Sequence, residues 1–259
     1  EKGFADRVLG VDVNTTHCEK ALALGLVDEI TDMSEAVLQS DLVILATPIN
    51  VSEGLLPQIL NLADKQVIMD VGSTKKIICE SVAKHPGRGR FVATHPMWGT
   101  EYSGPEAAVK GAFEDKATVI CSREESDKDA VEQVEKLYQL LGMHLVYMDA
   151  AAHDVHVAYV SHISHITSFA LANTVLEKER EEDTIFELAS GGFESTVRLA
   201  KSNPAMWVPI FMQNRENVLD VLNEHIVQLR KFKACLEKEN YAYLEELIGN
   251  ANGIRRILK

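Results

Sequence analysis

Residues 67–75 read VIMDVGSTK, a nearly continuous apolar run that passes directly into a glycine and two hydroxyl side chains. An apolar run without polar alternation is typical of a strand covered on both faces, as in a parallel sheet flanked by helices. A glycine at the carboxyl end of such a strand lets a ligand approach the backbone closely. The stretch therefore predicts an open α/β sheet whose ligands bind beyond its strand ends.

Similar apolar runs, separated by helical patterns, occupy the first ~150 residues; they are residues 8–11, 42–46, 91–94, 117–121 and 145–147. This alternation predicts a Rossmann-type doubly wound parallel sheet. From residue 150 the strand patterns stop, and helical patterns cover residues 150–176, 204–235 and 241–257. We therefore expect an α/β domain over residues 1–149 and an all-α domain over residues 150–259. The apolar helices of the second part predict a homodimer, because they are too hydrophobic for a monomer surface.

The chain has 259 residues and a formal net charge of −13. Nucleic acids and anionic membrane surfaces bind basic faces, so the composition argues against both as partners. The four cysteines lie far apart and form no C-x-x-C pair, which predicts free thiols in a reducing cytosol. No apolar run approaches the ~20 residues of a membrane span, and no signal peptide is visible. We therefore expect a cytoplasmic location.

Polar or small residues follow three of the predicted strands, at the edge where a ligand would bind. Asp12 follows the first strand, Thr47 and Pro48 follow the next, and Gly72 follows the third. A carboxylate in the place of Asp12 binds the two ribose hydroxyls of NAD and repels the additional phosphate of NADP. The alternative is that Asp12 caps the following helix. These four residues predict an NAD site.

The glycine-rich turn G-x-G-x-x-G should precede a ribose-binding acid by about 20 residues, yet it does not occur before Asp12. Residues 1–5 instead have the pattern of the end of the helix that follows such a turn. We therefore expect that this numbering starts after the first strand and the glycine loop. Cofactor affinity would be poor without them, because the helix N-terminus that holds the pyrophosphate is then missing too.

His95 follows the apolar run 91–94 and begins the loop segment HPMWGTEYSGP, residues 95–105. A histidine at the end of a buried strand, on a loop rich in glycine and proline, lies where open α/β sheets bind ligands and do chemistry. The segment therefore predicts the reaction centre.

An ordered set of motifs closely resembles the prephenate/arogenate dehydrogenase family of tyrosine biosynthesis and spans nearly the whole chain. The motifs are Asp12, ATPI (46–49), DVGSTK (70–75), HPMWGTE (95–101), SHISH (161–165) and RLAKSNPAMW (198–207). The chain departs from the family in lacking the glycine loop, and in having Trp98 where a smaller residue or Phe is more usual.

The resemblance implies an NAD-dependent oxidoreductase that decarboxylates prephenate to 4-hydroxyphenylpyruvate. Hydride leaves the ring carbon that bears the hydroxyl, and loss of carbon dioxide then aromatises the ring. Removal of the hydroxyl proton suits a neutral imidazole near pH 7, so we expect His95 to be the general base. The alternative is a loop histidine that only forms hydrogen bonds. Ser73 is expected to orient His95 or the substrate hydroxyl, or else to cap the helix that begins near residue 74.

The substrate of this family carries two carboxylates, so the site needs a fixed cation. Arg198 matches the family motif, and its planar guanidinium suits a bidentate carboxylate contact; the alternative is a solvated helix arginine. Glu101 is expected to pair with Arg198 and to gate access, or to lie on the surface. By the resemblance His165 and Ser161 face the substrate, whereas the plainer interpretation is a buried histidine bonded to the backbone or a hydroxyl.

Two further residues have alternative interpretations. Trp207 is a core or interface anchor rather than a substrate contact, and Lys75 is either a phosphate contact or a surface lysine.

Four histidines lie on the predicted helix 150–176. On a straight helix His153 and His156 share one side, and His162 and His165 share the other. A four-histidine metal cluster is thereby excluded, and a zinc site made of one such pair with a carboxylate is a minor alternative. We expect no metal.

Three other functions stay open. Arogenate differs from prephenate only in an amino group in place of a keto group, and the motifs do not separate the two. A β-hydroxyacid dehydrogenase-like enzyme needs a catalytic lysine on the interdomain helix, yet residues 150–174 contain no lysine. A non-catalytic dimerisation or ligand-sensing module is supported only by the missing glycine turn.

Overall fold

The computed structural model describes residues 3–180 and 185–257. The chain divides into two compact units, residues 1–214 and residues 215–259. None of the helices described in these ranges combines the length and the apolar character that crossing a membrane requires.

The first unit has seven strands among its described residues. They are β1 (Leu9–Gly10), β2 (Glu29–Ile30), β3 (Leu42–Leu45), β4 (Val67–Asp70), β5 (Phe91–Pro96), β6 (Ala117–Cys121) and β7 (His144–Met148). β1 and β2 form a parallel pair, and the other five form one sheet in the order β3-β4-β5-β6-β7. All neighbours in this sheet are parallel except β5 and β6. The predicted Rossmann-type α/β architecture is confirmed, whereas β2 and the antiparallel pairing were not predicted.

Helices follow or separate these strands. The first unit contains α1 (Thr15–Ala23), α2 (Met33–Gln39), α3 (Ile49–Leu62), α4 (Lys76–Ser81), α5 (Lys128–Leu140), α6 (Ala150–Val157), α7 (Ile163–Glu179), α8 (Gly191–Val197) and α9 (Pro204–Gln213). The second unit contains α10 (Arg215–Glu237) and α11 (Tyr241–Ala251). Five of these helices begin at a side chain that accepts a backbone N–H of the first turn, as preferred at N-caps; the side chains are those of Asn14, Asp32, Asp149, Asn203 and Asn240.

Both faces of the larger sheet are covered, as the continuous apolar runs predict. In β4, Ile68 belongs to the apolar cluster that includes Leu56 of α3 and Ile78 of α4. Its neighbours Val67 and Met69 belong to a second cluster, which includes residues of α5. Successive side chains of a strand point to opposite faces, so α3 and α4 cover one face and α5 covers the other.

Two predictions for the helical part were wrong in detail. The helix predicted over residues 150–176 is interrupted by a π turn, Ala158–His162, between α6 and α7. The helix predicted over residues 204–235 is two helices, because Asn214 leaves helical geometry between α9 and α10. The π turn has the greater consequence, because it changes the direction of every side chain that follows on α7.

The connection from β5 to β6 begins and ends at paired residues. Pro96 pairs with Thr118, and the backbone N–H of Met97 donates to the carbonyl of Ala117 at 2.8 Å. The intervening residues, which carry Glu101, thus leave the sheet and return to it on neighbouring strands.

Candidate active site

His95 lies within β5, opposite Val119 of β6, rather than on the loop that follows the strand. Its Nδ1 atom is 2.9 Å from Nε2 of His153, which lies on α6. The two rings meet edge to face, with their centroids 5.1 Å apart. His95 is half-buried and His153 is fully buried, so this pair of imidazoles is fixed by its surroundings.

Asp154, the next residue on α6, holds His153 from the other side. Its Oδ1 atom lies 2.8 Å from Nδ1 of His153. The same carboxylate accepts the backbone N–H of Lys75 at 2.8 Å and that of Lys76 at 2.9 Å. These amides lie at the start of α4, where N–H groups have no partner within the helix. Asp154 is 2% exposed, and its burial is compensated by these three hydrogen bonds.

Lys75 is fully buried, which contradicts both interpretations considered for it, a phosphate contact and a surface lysine. Its Nζ atom forms an ion pair with Asp70 and donates to the backbone carbonyl of Thr94 at 2.7 Å. Asp70 in turn accepts the backbone N–H of Thr94 at 3.2 Å and that of Gly72 at 2.9 Å. A buried charge persists only when it is paired and hydrogen-bonded, and this pair joins the ends of β4 and β5.

The environment of His95 favours the neutral imidazole. Burial lowers the pKa of His95 well below its ordinary value, and the neighbouring His153, Lys75 and His162 disfavour a second positive charge and lower it further. A neutral ring at physiological pH has one nitrogen lone pair that can accept a proton. This is the protonation state that a general base requires.

His162 is buried at the end of the π turn. The side-chain amide nitrogen of Asn214 donates to the backbone carbonyl of Asp154 at 2.7 Å. The same nitrogen lies 3.2 Å from Nδ1 of His162. Burial lowers the pKa of His162 to about 4. A straight helix predicts that His162 lies on the side opposite His153. This prediction needs correction, because one amide group, that of Asn214, contacts both the His162 ring and the backbone carbonyl of Asp154.

His165 lies flat against Trp207, with ring centroids 3.4 Å apart and planes inclined by 26°. Its Nδ1 atom is 3.1 Å from the carbonyl of Ser161, and burial lowers its pKa. Trp207 packs in a cluster with Ile49 and Ile210, in agreement with its interpretation as a core anchor, although its indole nitrogen is buried without a partner among the described residues.

Arg198 and Glu101 form an ion pair, as predicted. The guanidinium Nη1 atom donates to the Glu101 carboxylate at 3.0 Å, and the side chains are 51% and 13% exposed, respectively. The pKa of Glu101 is lowered by its own backbone N–H and also by Arg198. An open cavity of about 630 Å³ is lined by Glu101, Lys201 and Asn203 among others, but not by His95, so the cavity itself does not contain the candidate base.

The residues predicted to bind the cofactor follow β1, β3 and β4. The Asp12 carboxylate is 43% exposed and accepts the backbone N–H of Asn14 at 2.8 Å. Asn14 rather than Asp12 caps α1, which contradicts the capping alternative. The Oδ2 atom of Asp12 also lies 3.2 Å from Nδ1 of His17. An ionised carboxylate has about four acceptor sites, so two remain at Asp12 for ribose hydroxyls, and this chemistry fits a dinucleotide.

The other three predicted cofactor residues have partners within the chain. The Thr47 hydroxyl lies 2.7 Å from that of Ser52, and Pro48 is the N-cap residue of α3. A Cβ atom at Gly72 would lie 2.5 Å from Cδ1 of Ile49 and 3.0 Å from Oδ2 of Asp70, so both side chains would have to shift to admit any other residue there.

Two family models match the chain in succession. The model described as "Prephenate dehydrogenase, nucleotide-binding domain" matches residues 1–147, and the one described as "Prephenate dehydrogenase, dimerization domain" matches residues 149–250. The chain belongs to the prephenate dehydrogenase family.

Individual relatives agree with this membership in the family. Prephenate dehydrogenase of Bacillus subtilis is 32% identical over 238 residues, which are 90% of this chain and 64% of that protein. The chain thus spans less than two thirds of this relative's length. Cyclohexadienyl dehydrogenase of Zymomonas mobilis is 28% identical over 93% of this chain and 83% of its own length.

Among solved structures, prephenate dehydrogenase from A. aeolicus, in complex with hydroxyphenyl propionate and NAD+, superposes with a TM-score of 0.90. It is 29% identical, and the match covers 100% of this chain and 91% of that one.

In this member of the prephenate dehydrogenase family, several of the predicted site residues lie close enough to influence one another electrostatically. The pKa of His95 responds to His162, that of His162 to His165, and that of His165 to Arg198. Ser73 is half-buried, and across residues 3–180 and 185–257 no hydrogen bond joins it to His95. It also does not cap α4, which begins at Lys76 without a side-chain cap.

Sequence reasoning missed the residues that hold His95. The pair His153-Asp154 is adjacent in the sequence, but its partner His95 is 58 positions away, so no local pattern indicates the contact. The buried pair of Asp70 and Lys75 had one visible signal, an aspartate within an otherwise apolar strand. Within the ranges that the structure describes, no group of three or more His, Cys, Asp or Glu residues is arranged to hold a metal ion.

Proposed function

We propose that the protein catalyses the NAD-dependent oxidative decarboxylation of prephenate, with His95 as the general base and Arg198 as the carboxylate anchor. The observation that carries the proposal is the half-buried His95 at the end of β5, whose pKa is lowered and whose Nδ1 atom is held by His153 so that Nε2 is available. Membership in the family and the solved relative with bound NAD+ support the same chemistry.

The reaction assigns one role to each group. A bound NAD would supply the acceptor for the hydride of the ring carbon that bears the hydroxyl. Nε2 of His95 would take the hydroxyl proton, so that the oxygen becomes a carbonyl oxygen. The bond from the ring to its carboxylate then breaks, carbon dioxide leaves with the electron pair of that bond kept by the ring, and His95 returns the proton to the resulting phenolate. The protein's task is to orient the substrate and to take and return one proton.

Arg198 would bind a substrate carboxylate by exchanging its partner. In the ligand-free protein the guanidinium is paired with Glu101 but remains half exposed. A carboxylate that binds bidentately forms two charge-assisted hydrogen bonds in place of one. Glu101 would then act as a gate, because its carboxylate holds the guanidinium until the ligand takes its place.

The cofactor would be held at the strand ends by Asp12, Thr47, Pro48 and Gly72. The description of the first family model as a nucleotide-binding domain supports this role. We also propose a functional division into residues 1–149 and 150–259, and a homodimer formed through the second part, which its description as a dimerization domain supports.

A steady-state assay of NADH formation tests the proposal, with prephenate and arogenate as parallel substrates and NAD and NADP as parallel cofactors. We expect turnover with prephenate and NAD, accompanied by stoichiometric carbon dioxide and 4-hydroxyphenylpyruvate. Faster turnover with arogenate would reassign the substrate and keep the mechanism. Absence of turnover with both substrates, in a protein that binds NAD, would contradict the function.

A further inference from the structure

The orientation of the candidate base is set by a chain of hydrogen bonds that begins in the backbone. His153 lies between His95 and Asp154, with Nε2 toward the former at 2.9 Å and Nδ1 toward the latter at 2.8 Å. His153 and Asp154 are 0% and 2% exposed, so water does not compete for these contacts. Across residues 3–180 and 185–257, His153 is the one hydrogen-bond partner of the His95 side chain.

The direction of each hydrogen bond follows from groups whose role is fixed. The backbone N–H groups of Lys75 and Lys76 can only donate, and both are directed at the Asp154 carboxylate. An ionised carboxylate can only accept, so Nδ1 of His153 must carry a proton. A neutral His153 then has its lone pair on Nε2, and Nδ1 of His95 must be the donor to it. The lone pair of a neutral His95 is thereby left on Nε2.

We propose that the amides of Lys75 and Lys76, acting through Asp154 and His153, hold His95 in the tautomer with the proton on Nδ1 and the lone pair on Nε2. His153 and Asp154 are then positioning residues for the general base, and this role rests on the proposed function. The Nε2-protonated tautomer, which is the more stable one in free histidine, would have no lone pair to offer the substrate hydroxyl. The proton that His95 accepts is held on its Nε2 atom until the phenolate takes it back, while its Nδ1–H remains bonded to His153.

The charged and titratable groups around His95 are consistent with a neutral ring. Lys75 from the start of α4, His153 from α6 and His162 from the π turn all face it, and burial together with these neighbours lowers its pKa. A neutral ring must choose one of two tautomers, and the chain of hydrogen bonds makes that choice.

The substitution Asp154→Leu tests the chain of hydrogen bonds. Oδ1 of Asp154 contacts both His153 and the N–H of Lys75, and leucine, of similar shape, offers no acceptor to either, so the proton on Nδ1 of His153 is no longer enforced. We expect kcat to fall on the order of 10²–10⁴-fold, as for a base in the wrong tautomer, while KM changes by less than about threefold. The matched control is Asp149→Leu, because the Asp149 carboxylate also accepts two backbone N–H groups on α6, and among the described residues no histidine side chain is bonded to it.

Nitrogen NMR of isotope-labelled histidine gives a readout that does not depend on activity. We expect His95, assigned by the loss of its signals in His95→Asn, to carry its proton on Nδ1 in the ligand-free protein at neutral pH. In Asp154→Leu the share of Nε2-protonated His95 should rise, and in Asp149→Leu it should not. A native protein with Nε2-protonated His95 would overturn the proposal, as would an Asp154→Leu protein with unchanged tautomer and kcat.

A second pair of variants decides the matter if Asp154→Leu does not fold. In His153→Gln the side-chain oxygen can replace Nε2 and accept the proton of His95 Nδ1, whereas His153→Leu offers no acceptor. We expect the Nδ1-protonated tautomer to be retained in the first variant and lost in the second, with kcat at least about tenfold higher in the first. The same His95 tautomer and the same kcat in both variants would refute the proposed chain of hydrogen bonds. A native protein inactive with both substrates but Nδ1-protonated at His95 would refute only the proposed function.

Discussion

The Nζ atom of Lys75 donates a hydrogen bond to the backbone carbonyl of Thr94, the residue directly before His95, at 2.7 Å. The same ammonium group is paired with Asp70, so one buried cation ties the end of β4 to the end of β5. Because both residues are fully buried, the contact fixes the backbone that carries His95 without touching its ring.

Replacement of Lys75 by Met should destabilise the fold, because it leaves the Asp70 carboxylate buried without its partner. Removal of one member of a buried pair costs about 3–5 kcal/mol. Urea denaturation of Lys75→Met measures this loss. The control is Lys76→Met, whose side chain is exposed and whose free energy of unfolding should change by less than about 0.5 kcal/mol. Equal effects in the two variants would contradict the role of the buried pair.

Replacement of His95 by Asn should abolish general-base catalysis with little change in the fold. We expect kcat to fall by about 10²–10⁴-fold, measured by NADH formation, while the thermal midpoint stays within a few degrees of the native value. His156→Asn is the control, since His156 is exposed and bonded to its own helix. Near-native turnover of His95→Asn would exclude His95 as the base.

Replacement of Arg198 by Ala should weaken substrate binding more than turnover. Loss of hydrogen bonds to a charged group costs about 1.5–3 kcal/mol, which corresponds to a KM roughly 10–150-fold higher. Arg198→Lys retains the positive charge but not the planar guanidinium, so its KM should lie between those of the native protein and of Arg198→Ala. An unchanged KM in Arg198→Ala would exclude Arg198 as the anchor.

Replacement of Asp12 by Ser should relax the preference for NAD over NADP. The substitution removes the negative charge that repels the additional phosphate of NADP and the acceptor for the ribose hydroxyls. The measurement is the ratio of kcat/KM for the two cofactors. Asp28→Ser is a matched control, because the Asp28 carboxylate likewise accepts a backbone N–H in the same part of the chain. A constant ratio in Asp12→Ser would refute the ribose contact.

Acidification should destabilise the protein through His162. Its pKa is about 4 in the folded state against about 6.5 in the unfolded chain. The unfolded state therefore binds the proton first, so the contribution is complete above pH 6.5 and is lost as the pH falls to about 4. The loss amounts to roughly 3 kcal/mol at most.

Denaturation across this range should show a smaller pH slope for His162→Gln than for the native protein. His156→Gln, at an exposed position, should keep the native slope. A slope in His162→Gln as steep as the native one would contradict the assignment.

The sequence predicted the elements that are continuous apolar runs, because burial on both faces leaves that pattern in the residues themselves. It did not predict β2, which has two residues, Glu29 and Ile30, and therefore no periodicity. It also could not give the antiparallel direction of β6, since strand patterning contains no direction. The π turn of Ala158–His162 has the same apolar composition as the helix around it.

In the candidate site, too, the sequence predicted some features and missed others. His95, Arg198 and Glu101 were identified from motifs, and the ion pair of the last two was confirmed. The partners of His95 were not predicted, because a contact between residues 58 positions apart depends on how α6 packs against β5. Lys75 was misjudged because a lysine is rarely buried unless it is paired, and its partner Asp70 lies on the preceding strand.

The return of residues 97–116 to the strand next to β5 has a consequence for how this protein can diverge. Both ends of the excursion are held by pairing between Pro96 and Thr118, so insertions and deletions inside it leave the register of the sheet intact. The segment that carries Glu101 can therefore be lengthened or shortened without moving the strand that carries His95. Such changes would alter the surroundings of Arg198 while the contact of His95 with His153 stays in place.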